Sequence, residues 1–551
     1  MRRARLLAPL LALLAGCGGR TPAPPAPAAG YDLLIRGGTV YDGGGAPGRR
    51  ADVAIAGDSV VLVGPPLGAP ARDTLDAAGL AVAPGFINML SWAYEALLED
   101  GRGESDLRQG ITLEIFGEGS SPGPVNARVA AELLARGDTV EPWGFGEALD
   151  SLAARGVSMN VASFVGATTV RLHELGAGDR TPTADELGRM QALVRRAMAE
   201  GALGVGTSLI YPPASYSRTP ELVALAAAAA PDSGVYISHM RGEGDHLLEA
   251  ADELLTIARE AGVAAEIYHI KAAGRANWPK LDTLLARVES ARRAGLRITA
   301  DMYTDPASST GITTLFPDWT AAGGFDSLLV RLQDPALRAR VEREAEPRDA
   351  EETLIVGVRD PRLRPLVGRT LAAIGRERGV TPLAAAMDLV SADRSRIDVV
   401  FFSMSEDNVR KAVRTPWVSF GSDGQAFTLG DSLPANSTHP RAYGNFARLL
   451  GRYVREERLI PLAEAVRRLT ALPAGNLGLH RRGRLAPGYY ADVVVFDPAV
   501  VAERATYDRP HQYAVGVRHV VVNGVPALRD GEVTDARPGR VVRGRGWRGP
   551  R

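Results

Sequence analysis

Cysteine is almost missing from this chain: Cys17 is the only one in 551 residues. No intramolecular disulfide can therefore form. Lysine is nearly as scarce. Of the 64 Lys+Arg, only Lys271, Lys280 and Lys411 are lysine, an arginine bias that a GC-rich coding sequence explains. Net charge is absent, because 64 Asp+Glu balance the basic residues. That balance argues against the basic face of a nucleic-acid-binding protein, so no nucleic-acid partner is expected. It also gives no polybasic patch for a membrane surface. A long hydrophobic run is missing as well. The apolar stretch from Leu6 to Ala15 is about ten residues, half of the ~20 a transmembrane helix needs. What is present is ordinary for a folded globular protein: 45% apolar and 23% charged residues. The length allows several domains or one large barrel with additions.

The first residues read as a targeting segment. Arg2, Arg3 and Arg5 precede the short apolar run, the pattern of a secretory signal. The run ends in Leu14-Ala15-Gly16-Cys17, which resembles the lipobox of bacterial lipoproteins. The resemblance implies a signal peptide over 1–16, acylation of Cys17, and a protein anchored to the membrane of the bacterial cell envelope, on its periplasmic or extracellular face. The alternative is an ordinary cleaved signal with a chance cysteine. Residues 17–30, rich in Pro and Ala, then form an extended tether.

Beyond the tether, two textures alternate. Residues 31–83 and 476–545 carry short alternating strands punctuated by glycine, such as YDLLIRGGTVYDG and VRHVVVNGVPALRDGEV. They predict a small β-sandwich built from both chain ends. Between them, over 84–475, near-continuous apolar runs alternate with helical-period stretches, the signature of a parallel sheet covered on both faces. The runs APGFINML, GITLEIFG, SMNVASFVG, GALGVGTSLI, SGVYISHM, GVAAEIYHI, GLRITADMY and TPWVSFGSDG number eight. That is the count of a (β/α)8 TIM-like barrel. IDVVFFS is a surplus ninth run, and it follows a segment over about 317–393 that reads as a mainly helical insertion.

Active sites of such barrels form at the C-terminal ends of the strands. His239 ends VYISH, His269 ends AEIYH, Glu118 follows LEIFG and Asp423 follows VSFGS. Two imidazoles one strand-helix repeat apart, together with carboxylates, suit a divalent metal such as zinc. Glu118 and Asp423 lie in Gly-rich turns, where a carboxylate can also be simply solvated.

With those residues in place, the chain from Tyr31 to about Gly544 resembles the N-acyl-D-amino-acid deacylase (D-aminoacylase) branch of the metal-dependent amidohydrolase superfamily. The matching motifs are APGFI at 83–87, SHMRGEGD at 238–245, YHIKAAGRANW at 268–278, GSDG at 421–424, HPRAYGNFARLLGRYVREE from His439, and GYYADVVVFDP. The resemblance implies a zinc-dependent hydrolase that cleaves the amide of N-acyl-D-amino acids. By that likeness His239 and His269 are zinc ligands and Asp423 the catalytic acid/base. Lys271, Arg441 and, as a helper, Tyr303 hold the substrate carboxylate. Two departures stand out. Relatives carry His-X-His shortly after Pro-Gly-Phe-Ile, whereas this chain reads Asn88-Met89-Leu90-Ser91-Trp92. The family's zinc-ligating cysteine is replaced, with Glu118 at the matching place. These departures imply one tightly bound Zn2+ on Glu118, His239 and His269. They also leave open a catalytically retired binding protein on the same scaffold, or an amidohydrolase for a cyclic amide or dipeptide. His173, His246, His480, His511 and His519 are expected on outer surfaces. His439, beside Arg441, either lines the pocket or holds a turn.

Overall fold

The computed structural model describes residues 30–68, 70–134, 143–346, 348–430 and 435–549. The expected signal peptide, Cys17 and the tether, apart from Gly30, lie outside the described residues. Among the described residues, no helix is long and apolar enough to cross a membrane.

Strands with every side chain buried build the centre of the molecule. Ile111–Phe116, Gly204–Ser208 and Val235–His239 are of this kind. Phe86–Asn88, Ile111–Phe116 and Asn160–Ser163 pair in parallel as one arc. Val165–Gly166, Gly204–Ser208, Val235–His239, Ala264–Ile267 and Ile298–Ala300 form a second parallel arc. Asn160–Ser163 runs almost directly into Val165–Gly166, so a single stretch of chain joins the arcs. The eighth position, 417–420, has no extended ladder. Its Ser419 N–H donates to the Ala300 carbonyl at 2.8 Å, and the Met89 N–H donates to the Phe420 carbonyl at 3.2 Å. These contacts connect the last strand to the first and complete the (β/α)8 barrel.

The helices outside obey the usual 3.6-residue logic. Leu247–Ala261 buries Leu247, Ala250, Ala251, Leu254, Leu255 and Ala258, a single stripe facing the barrel. It stops at Gly262, whose φ of 70° places it in the left-handed region that glycine enters without a Cβ penalty.

Both chain ends contribute to one separate sheet of nine strands. Val493–Phe496, from the C-terminal part, pairs antiparallel with Ala81–Pro84 from the N-terminal part. The small β-domain expected from both chain ends is thus one continuous hydrogen-bonded sheet. Its two limbs share one apolar cluster containing Leu33, Val53, Val60, Val493, Val495 and Val521. His519 lies on one of these strands and is buried, at 3% exposure, so the surface expected for it is corrected. Sheet residues alternate in facing, and position 519 falls on an inner side of its strand.

The insertion is more than helical. Ser308–Gly311, Asp398–Phe401 and Thr353–Gly357 form a three-stranded antiparallel sheet in that spatial order. The helices Phe325–Arg331, Pro335–Glu344, Leu371–Arg378 and Pro382–Asp393 accompany it around a cluster of their own. Asp398–Phe401, the surplus ninth run, belongs to this sheet and not to the barrel. Thr353–Gly357 is a five-residue strand inside the segment read as helical, too short to interrupt the helical texture around it.

Candidate active site

The barrel strands deliver their last polar residues to one place. Val235–His239 ends on His239, His269 follows Ala264–Ile267 by two residues, and Glu118 follows Ile111–Phe116 by two. His269 and Asp423 both adopt positive φ, 37° and 47°. For residues other than glycine this costs roughly 1–3 kcal/mol, and it persists only where the surroundings enforce it. The enforcing contacts are visible. The His269 N–H donates to Asp301 Oδ1 at 2.9 Å, and the Asp423 N–H donates to the Leu90 carbonyl at 2.9 Å.

Glu118 Oε1 lies 2.8 Å from His239 Nδ1 and 3.1 Å from His269 Nε2. One donor atom from each of these three buried residues falls within 4.8 Å of the other two. His239 Nε2 is buried without a hydrogen-bond partner among the described residues. Burial would raise the Glu118 carboxyl, but its bonds to the two imidazoles hold it well below the usual carboxylate range. Burial and Lys271 push His269 down, yet Glu243 and Glu118 outweigh them and raise it to about 9. The cluster therefore concentrates negative potential where a cation or a proton is favoured. Two imidazoles and a carboxylate in a dry, convergent set fit a divalent metal ion.

Around this cluster sit residues that the sequence motifs did not single out. Glu243 Oε1 is 2.6 Å from Lys271 Nζ and 3.1 Å from His269 Nδ1. Burial opposes its ionisation, but Lys271 and the two imidazoles keep it well below the ordinary carboxylate value. Glu243 accepts the His269 Nδ1–H at 3.1 Å, with Lys271 Nζ 2.7 Å from the same nitrogen, and this leaves Nε2 of that ring facing Glu118. A partner of this kind fixes the tautomer and orientation of a ligating imidazole. Trp92 donates its indole N–H to Glu118 Oε2 at 2.9 Å and Asp423 Oδ1 at 3.1 Å.

On the other side, Asp423 Oδ2 accepts from Arg441 at 2.8 Å. Burial raises the Asp423 carboxyl above its ordinary value, and Arg441 pulls in the opposite direction. The Arg441 guanidinium lies 4.3 Å from the centre of the Tyr303 ring, and its Nε and one terminal nitrogen are buried without partners. His439 is occupied structurally. Its Nε2 meets the Ala307 carbonyl at 3.0 Å, and its Nδ1 accepts the Arg441 N–H at 3.1 Å. Burial and the neighbouring Arg441 hold this imidazole well below its usual pKa, so it stays neutral.

A cavity of about 260 Å³ opens over the cluster. Glu118, His239, His269, Lys271, Tyr303 and Asp423 all line it, while Arg441 sits behind Asp423 and Tyr303. The seven site residues expected from the sequence are thus brought together. Every carboxylate on the cavity wall, namely Glu118, Glu243 and Asp423, comes from the barrel end. The insertion contributes Thr310, Arg348 and Arg396 to the lining, with Thr310 bonded to Tyr211 at 2.8 Å and Arg396 paired with Asp398 at 3.4 Å. Glu243 was within reach of sequence reasoning, since it stands four residues after His239 inside SHMRGEGD. Arg348 and Arg396 carried no local signal, because only the folding of the insertion over the barrel brings them to the cavity.

The model of the family described as amidohydrolase matches residues 140–527. The N-acyl-D-glutamate deacylase of Alcaligenes xylosoxydans xylosoxydans is 36% identical over 515 residues, 93% of this chain and 96% of that protein. This chain belongs to the amidohydrolase family. Within the family it lies in the D-aminoacylase branch, as two solved structures also show. The N-acyl-D-glutamate deacylase of Bordetella bronchiseptica, complexed with zinc and a phosphonate mimic of the tetrahedral intermediate, aligns with a TM-score of 0.79 at 33% identity. That alignment covers 93% of this amidohydrolase and 99% of the other chain. A D-aminoacylase described by one-metal activation and second-metal attenuation of its binuclear centre aligns with a TM-score of 0.78 at 34% identity. It covers 93% of this chain and 100% of its own.

Proposed function

We propose that this amidohydrolase hydrolyses the amide of N-acyl-D-amino acids to a carboxylate and a free D-amino acid, using one zinc ion held by Glu118, His239 and His269. The observation that carries the reading is the convergence of those three donors beside Asp423 within one cavity. The deacylase activities of the relatives are the second support. When bound, the ion supplies Lewis acidity toward the acyl oxygen and activates water near neutral pH.

The chain's own residues perform the rest. Asp423 takes a proton from the attacking water and returns it to the leaving nitrogen, a role suited to a carboxyl whose basicity burial raises. Arg441 holds Asp423 through one N–H, and its two further donors, buried behind the cavity wall and without a hydrogen-bond partner among the described residues, serve a substrate carboxylate that enters between Asp423 and Tyr303. Lys271 adds positive charge beside them, and the Tyr303 ring packs against both cations. Holding the carboxylate orients the scissile bond relative to the cluster. Arg348 and Arg396 on the outer wall favour a substrate whose far end is anionic.

A panel of N-acetyl-D- and N-acetyl-L-amino acids, read for released amine, tests the proposal. Release from the D series is the expected result. Release confined to cyclic amides or dipeptides supports the second reading of the scaffold, and binding without turnover supports a retired enzyme. Asp423→Asn should lower kcat by about 10²–10⁴-fold, the usual range for a general acid/base, with zinc content unchanged.

The lipobox at Leu14-Ala15-Gly16-Cys17 supports a further part of this reading: Cys17 carries lipid and anchors the hydrolase to the cell-envelope membrane. Radiolabelled palmitate should label the wild-type chain and spare Cys17→Ala. Equal labelling of both removes the anchor.

A further inference from the structure

The Trp92 side chain sits between two carboxylates. Glu118 divides its oxygens: Oε1 faces His239 and His269, while Oε2 accepts the Trp92 indole N–H at 2.9 Å. Asp423 divides its own in the same way, with Oδ2 on Arg441 and Oδ1 on the same indole N–H at 3.1 Å. A carboxylate that bridges two metal ions offers one oxygen to each. The indole thus fills the position that Glu118 Oε2 and Asp423 Oδ1 together would offer a second cation. An indole N–H is a donor only, with no lone pair to ligate a metal. The side chain is also anchored: the Trp92 backbone N–H donates to the Gly424 carbonyl at 2.9 Å, and Ser91 bridges Gly424 in parallel. Nearby Leu90 is fully buried and apolar, so it offers no replacement ligand.

We infer that Trp92 is a positioning residue that puts one neutral N–H where a second metal ion would lie. It ties Glu118 and Asp423 together and makes the centre strictly mononuclear. This inference rests on the reading of Glu118, His239 and His269 as the zinc site. It carries a functional consequence. The D-aminoacylase described above has a second metal that attenuates it. Here excess zinc has no second site to fill, and turnover stays constant as zinc rises.

The test is metal stoichiometry of the purified full chain, by elemental analysis and calorimetric zinc titration, with folding checked by circular dichroism. Wild type should saturate at one zinc per chain. Trp92→His, which supplies a lone pair between the two carboxylates, should take a second. Trp92→Phe keeps a ring and deletes only the N–H. It should bind a second ion where wild type stops at one, so the test survives if the histidine variant fails to fold. Two zinc ions in wild type overturn the inference while leaving the zinc site itself intact. So does a single ion in both folded variants. No zinc in wild type overturns the underlying site and this inference with it.

Discussion

At Arg441 one N–H is committed to Asp423 and two guanidinium nitrogens have no hydrogen-bond partner among the described residues. The residue can therefore act on the substrate, on Asp423, or on both, and kinetics separates these cases. Arg441→Lys keeps the charge but loses the fork that grips a carboxylate with two bonds. A charge-assisted bond is worth about 1.5–3 kcal/mol, so KM should rise roughly 10–100-fold if those donors hold the substrate. A fall in kcat with unchanged KM would instead mean that Arg441 acts only through Asp423. Arg396 gives a second prediction at this scale. Arg396→Ala should lower kcat/KM for N-acetyl-D-glutamate and leave N-acetyl-D-leucine within twofold. An equal loss for both substrates contradicts an anion-favouring outer wall. The sequence made the strand-end residues readable, because a polar side chain at the end of an apolar run has one natural destination in a barrel. Trp92 was not readable as a site residue. In the sequence it registers only as missing histidines, and its use of a single N–H on two carboxylates depends on the packing of strands far apart in the chain.

Among the elements, the eighth barrel position shows how a weak strand is made dependable. Residues 417–420 lack a ladder, and Arg468 compensates from the helix Leu462–Leu469. Its guanidinium is fully buried and donates to the carbonyls of Val418, Val413 and Ala412. Two of these lie in the last turn of the helix Glu406–Arg414, where the Ala412 carbonyl also accepts the Thr415 N–H at 3.1 Å. Arg468→Met takes this donor from the buried Val418 and Val413 carbonyls, at about 1–3 kcal/mol each, while Ala412 keeps the Thr415 N–H. The midpoint of chemical denaturation should fall measurably. Activity should fall as well, because Asp423 is carried on the segment that follows. Unchanged stability in this variant contradicts the role. Alternation of apolar runs and helices made the barrel legible from the sequence. The insertion's sheet was less so. Its strands are four or five residues long, and their pairing joins positions 308–311 to 398–401 across a long helical stretch.

Over the whole molecule, the site lies at one end of a barrel that has its own large apolar core, and the nine-stranded sheet adds a second. The metal cluster contributes little buried area by comparison. Chelation should therefore abolish turnover and leave the far-ultraviolet circular dichroism unchanged. Loss of structure on chelation would show that the ion holds the fold together. The same division explains why fold and chemistry could be read separately: periodicity reports the core, and strand ends report the site. The central claim joins the two, that one zinc on Glu118, His239 and His269 serves hydrolysis of N-acyl-D-amino acids. It is tested most directly by assaying protein of measured zinc content against paired D and L N-acetyl amino acids. Amine release from D substrates should rise in proportion to zinc and saturate at one ion per chain. Zinc-loaded protein that releases nothing from the D series would contradict it.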